Sequence, residues 1–123
     1  MDKPTLSHVR VFVRDFRVAV DFYTKKLGLP LAFEDGKRWA ALDTGEAQLC
    51  VEGIEAGDVE GEALIGRFVP VTLRVRDIQA TYREWSARGV RFGQAPKKEE
   101  WGGTLAFFDD PEGNRLCLME YQP

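Results

Sequence analysis

Only two cysteines, Cys50 and Cys117, occur in the chain, too few and too far apart for a disulfide framework or a local Cys-x-x-Cys clip. A bond between them would need close Cβ atoms and an oxidising compartment, and the sequence indicates neither, so both are read as reduced thiols. Long apolar runs are also missing. None approaches the length that spans a bilayer, and Met1-Asp2-Lys3-Pro4 has no basic region leading into an apolar stretch, so no membrane partner and a cytoplasmic location are expected. An excess of positive charge is missing: 17 Lys and Arg against 20 Asp and Glu give a net charge of −3 and leave no electrostatic footprint for nucleic acid. There is no phosphate-cradling GxxxxGK, no GxGxxG and no low-complexity segment.

What is present is ordinary globular material, with 44% hydrophobic and 30% charged residues in 123, enough for one domain with its own core. The chain also carries a faint copy of itself. His8-Val9-Arg10-Val11-Phe12-Val13-Arg14-Asp15 opens the first half and Pro70-Val71-Thr72-Leu73-Arg74-Val75-Arg76-Asp77 the second, each an alternating strand running into an aspartate that can cap a helix. The first helix is expected to run about a dozen residues to Gly28 with Val18, Ala19, Phe22, Tyr23 and Leu27 inward, and the second to run from Asp77 to Gly89 with Ile78, Thr81, Tyr82 and Trp85 inward. Leu31-Ala32-Phe33, Trp39 to Leu42 and Gln48 to Glu52 read as strands of the first half. Val90 to Phe92, Thr104 to Phe108 and Arg115 to Met119 read as strands of the second, with Asp110-Pro111-Glu112-Gly113-Asn114 as its last turn. This is an α+β chain of two βαβββ modules, about 5–53 and about 67–121, joined by a Gly-, Glu- and Ala-rich connection at about 54–66. The concave surface between two such modules is where a small-molecule ligand would sit.

The phrases His8-Val9-x-Val11-x-Val13-x-Asp15, Phe22-Tyr23-x-x-x-Leu27-Gly28, Trp101-Gly102-Gly103 and Phe108-x-Asp110-Pro111-Glu112-Gly113-Asn114 together resemble the vicinal oxygen chelate superfamily. That superfamily contains glyoxalase I, extradiol dioxygenases, fosfomycin-resistance enzymes and bleomycin-binding proteins. The resemblance covers nearly the whole chain. It implies sheets curled around a cleft, a homodimer, and, in the metal-using members, a divalent ion held by the first and last strand of each module. Carried onto this chain, those positions are His8, Cys50, Pro70 and Cys117. Only His8 keeps a usual ligand type; cysteines stand where glutamates are expected, and Pro70 has no side-chain donor atom. One histidine does not hold a hard or borderline ion by itself. A soft site of His8, Cys50 and Cys117 holding zinc or copper(I) is the alternative to no metal at all.

Strand parity lists the wall of the expected cleft: His8, Arg10 and Phe12, then Thr72 and Arg74, with Gln48, Cys50 and Glu52 and Arg115, Cys117 and Met119 from the closing strands. Arg10, Arg74 and Arg115 there face the single Glu52. They either reach solvent and surface carboxylates or bind an anionic group bidentately. Trp39 and Trp101 stand at matching places in the repeat, and either stack a flat ligand, as the resemblance to metal-free binding members implies, or pack at a module edge or dimer interface. Trp85, Phe33 and Phe107 are assigned to the core. Neither cysteine sits at a helix N-terminus that would activate it as a nucleophile, and Lys97 to Glu100 reads as a solvated charge run. The expectation is therefore a metal-independent protein of the bleomycin-resistance type, without a cofactor, that binds an aromatic or anionic compound. The alternative is a glyoxalase-like lyase, isomerase or dioxygenase with an atypical His/Cys metal site.

Overall fold

Alternating valines with polar and aromatic neighbours makes a strand with two unlike faces, and in β1 (His8–Val13) Val11 and Val13 are wholly buried while His8 and Arg10 are exposed. The computed structural model describes residues 2–122 and forms two compact units, the first ending at Ile65 and the second beginning at Gly66. The first continues through α1 (Phe16–Asp21), β2 (Leu31–Glu34), β3 (Trp39–Leu42), β4 (Gln48–Gly53) and the single turn α2 (Val59–Glu62). The second contains β5 (Phe68–Arg74), α3 (Ile78–Ala87), β6 (Arg91–Phe92), β7 (Lys97–Lys98), β8 (Thr104–Asp109) and β9 (Arg115–Glu120). Strand order is β1-β4-β3-β2 in one sheet and β5-β9-β8-β6 in the other, with β7 paired to β8. In both, the first strand lies parallel to the last and the remaining neighbours are antiparallel. The fold is thus mixed α+β with two sheets of the same topology. Among the described residues no helix is long and apolar enough to cross a membrane.

Helix entry follows the sequence closely. Asp15 accepts from the Val18 amide (3.1 Å) and Asp77 from the Ala80 amide (3.0 Å), so each helix begins on an aspartate cap. The first helix then departs from expectation: α1 lasts six residues and gives way to a π turn over Phe22–Lys26. The Leu27 amide reaches back five residues to the Phe22 carbonyl (3.1 Å), and the Thr24 hydroxyl donates to the Val20 carbonyl (2.7 Å). Widening the turn lets the successive rings of Phe22 and Tyr23, edge to face at 5.1 Å, and Leu27 all bury together. The apolar stripe is Phe16, Ala19, Val20 and Tyr23 at helical spacing, and Val18, expected inward, lies on the opposite side at 47% exposure.

Two further elements were not expected. The connection holds α2, capped by Asp58, which accepts from the Gly61 amide (3.0 Å), and the charge run at Lys97 contains the short edge strand β7, whose lysines face water. The expected turn after β8 is a closed polar unit. Asp110 and Asn114 are both wholly buried; Asp110 accepts from the Glu112 and Asn114 amides (2.9 and 3.0 Å) and from the Asn114 side-chain amide (2.9 Å). Asn114 Oδ1 in turn accepts from the Gly66 amide (2.8 Å), tying the start of the second unit to its last turn. The core of that unit packs Trp85 edge to face on Phe108 at 5.2 Å, as assigned.

Candidate functional site

Paired residues in a sheet point to the same side, so register decides which side chains share a face. In the first sheet His8, Arg10 and Phe12 are level with Gln48, Cys50 and Glu52, and Ala41 and Trp39 lie opposite Cys50 and Glu52. The alternates Val11, Val13, Leu49 and Val51 fill the core. In the second sheet Thr72 and Arg74 are level with Cys117 and Met119, whose other neighbours are Phe107 and Leu105, and Arg115 pairs with Asp109. The residues selected by parity therefore do share one face within each unit. Pro70 lies on β5 in the irregular stretch between the register pairs of Phe68 and Thr72.

On the first face the His8 ring meets Trp39 edge-on at 5.3 Å, with Nδ1 joined to the Ser7 hydroxyl at 3.0 Å. The Arg10 guanidinium lies over the Phe12 ring (5.4 Å) and pairs with Glu52 (3.3 Å). On the second face Arg115 Nε donates to Asp109 Oδ1 (2.9 Å), and Arg74 donates to the Tyr121 carbonyl. The balance of three arginines against Glu52 is thus corrected. Asp109, one strand away from Arg115, belongs to the same group of charges.

Both thiols lie beneath these faces. Burial pushes the Cys50 thiol up, with Arg10 opposing and Glu52 adding to the shift. Burial also pushes up Cys117, against a hydrogen bond with Thr72. Both cysteines are free, and the upward shift does not activate either as a nucleophile. Among the described residues no three His, Cys, Asp or Glu side chains gather where they could hold a metal ion. Of the four positions His8, Cys50, Pro70 and Cys117, His8 alone offers an imidazole or oxygen donor, its ring set against Ser7 and Trp39, and Pro70 has no side-chain donor atom.

The assignment of Phe33 and Phe107 to the core is overturned. They are 59% and 39% exposed, because register puts Phe33 beside Ala41, which pairs with Cys50, and Phe107 beside Cys117, while Ala106 and Phe108 take the core positions. Phe68 joins Phe107 at 6.2 Å between ring centres and is itself exposed. The signal was the parity already applied to Cys117; the unbroken apolar run of Leu105 to Phe108 hid it. A hollow of about 240 Å³ lies on this second face, walled by Leu105, Phe107, Lys97, Glu99 and Arg115. Trp101 is half exposed in the turn before β8. Its ring lies across Gly103, where an added Cβ would come within 2.1 Å of it, and against Tyr121 at 5.5 Å.

Comparison with known proteins gives a consistent result. The family model described as Glyoxalase/Bleomycin resistance protein/Dioxygenase superfamily matches residues 5–118. A bleomycin resistance protein of Klebsiella pneumoniae is 30% identical over 114 residues, covering 87% of this chain and 85% of its own. Two solved structures superpose closely. A member of the same superfamily from Sphaerobacter thermophilus has a TM-score of 0.82 at 27% identity, covering 96% of this chain and 98% of its own. TnmS3, an antibiotic binding protein from Streptomyces, has a TM-score of 0.80 at 26% identity, covering 99% of both.

Proposed function

Since the chain belongs to the Glyoxalase/Bleomycin resistance protein/Dioxygenase superfamily, we propose that it is a metal-independent binding protein for a flat aromatic small molecule, of the bleomycin-resistance type. The observation that carries this reading is the placement of Phe68 and Phe107 in the second unit: large apolar rings left exposed on the sheet face that bears Thr72 and Arg115, with a hollow beside Phe107. Exposed rings grouped beside a hollow and a few charged groups suit a small apolar ligand with a polar edge. The two relatives named for bleomycin resistance and antibiotic binding support a small-molecule ligand. The enzyme alternative needs a soft ion on His8 and two thiols, because Pro70 supplies no ligand atom and cysteines stand where carboxylates are expected.

A thermal-shift screen of flat aromatic compounds, run with and without a chelator, tests the reading. Stabilising compounds are expected in both conditions, with the effect lost in Phe107→Ala. Stabilisation only in the presence of a divalent ion, or unchanged in Phe107→Ala, contradicts it.

A further inference from the structure

Each unit has a hollow at the ends of its first and last strands, the two of nearly the same size and opposite charge. In the first unit a hollow of about 370 Å³ at the ends of β1 and β4 is lined by Arg10, Arg38, Glu52, Glu55, Asp58 and Glu60. There the cations are matched: Arg10 by Glu52 and Arg38 by Glu55. Arg14, the next residue beyond β1, pairs with Glu62 of α2 (2.5 Å). In the second unit a hollow of about 380 Å³ at the ends of β5 and β9 is lined by Arg74, Val75, Arg76, Tyr121 and Gln122. By the repeat, Arg76 stands where Arg14 stands, ahead of the capping aspartate. Among the described residues no carboxylate closes it: the Arg76 head group has no partner there, and Tyr121 and Gln122 offer only neutral side chains. The nearby carboxylates are engaged elsewhere, Asp77 with the Ala80 amide (3.0 Å) and Glu120 with the Ile78 amide (2.9 Å), both at the start of α3.

We propose that this second hollow is an oxyanion site, in which a carboxylate or phosphate from outside takes the place that Glu62 holds in the first unit. Arg74 is already fixed by its bond to the Tyr121 carbonyl, so its remaining N–H groups are presented without further ordering. Arg76 supplies the planar fork that grips two oxygens of one anion. The second guanidinium raises selectivity for charge over shape, since a neutral amide of the same outline leaves both arginines unmatched. The site stands on the strand ends of the second unit alone, and does not depend on whether the exposed phenylalanines hold a ligand.

The experiment uses the whole chain labelled with nitrogen-15, titrated at low salt with benzoate, inorganic phosphate and benzamide while the arginine side-chain N–H signals are followed. Benzoate, phosphate or both should shift the Arg74 and Arg76 signals, and benzamide should not; benzoate alone assigns the site to carboxylates and phosphate alone to phosphates. Arg76→Gln should weaken binding by about tenfold or more, and Arg76→Lys by less, because lysine keeps the charge and loses the fork. Gln122→Glu should abolish binding by closing the hollow from within, as Glu62 does for Arg14. Arg83→Gln, on the exposed side of α3, should bind as the unaltered chain does. Equal affinity in Arg76→Gln, an equal response to benzamide, or no shift with either anion overturns the proposal.

Discussion

At the residue scale the two thiols are the most diagnostic groups, because the same positions would carry carboxylates in a metal-using relative of the kind the sequence resembles. Burial raises Cys50 and Cys117 above the ordinary thiol value, so ionising either is harder in the folded chain than in the unfolded one. The contribution to stability is therefore whole below the unfolded thiol value, about 8.5, and is lost as pH rises through the higher folded values. Equilibrium unfolding followed from pH 7 to pH 10 should show falling stability above that point, with a shallower fall in a Cys50→Ala, Cys117→Ala chain. An identical slope in the double variant contradicts the assignment. Alkylation of both thiols at neutral pH should likewise be slow until denaturant is added.

Among the elements, the turns carry more specific chemistry than the strands. The Asp35 carboxyl is held down to about 2 by amides of Lys37, Arg38 and Trp39, which fixes the β2–β3 turn and the start of the strand bearing Trp39. With the folded value lowered, this support is complete above the unfolded value of about 3.9 and disappears as pH falls through about 2. Hydrogen exchange at the Trp39 amide should be slow at pH 5 and faster in Asp35→Ala; equal exchange in the two chains contradicts it. The Asp110 to Asn114 turn is the stronger lock. Removing the Asn114 side chain removes its bonds to the Gly66 amide and to Asp110 Oδ2, so Asn114→Ala should cost about 2 kcal/mol in urea unfolding. Every strand but β7, both aspartate caps and this turn were legible because each rests on local pattern. The π turn at Phe22 was not, since an unbroken helix and a widened turn share the same apolar residues, and only the packing of two successive rings separates them. The exposure of Phe33 and Phe107 was not legible from their hydrophobicity, since strand register and not side-chain type sets which face a ring takes.

For the whole molecule the repeat was the most readable feature, and it survives as the shared order of first strand beside last in each sheet. The partners of the site arginines were less readable, since Asp109 meets Arg115 across a strand pair that only the register reveals. The edge strand β2 exposes Leu31 and Phe33, an unguarded apolar edge of the kind that a second copy covers. Light scattering at micromolar concentration should give twice the chain mass of 13.9 kDa, shifting toward the single chain in Phe33→Lys; a single-chain mass for the unaltered protein contradicts a homodimer. The central claim, binding of a flat aromatic molecule without metal, is tested most directly by calorimetric titration of a compound found in the thermal-shift screen, in EDTA and again with added zinc. The account predicts the same affinity in both and a loss of about tenfold or more in Phe107→Ala. Binding that vanishes in EDTA, returns with zinc and is lost in His8→Ala would contradict it.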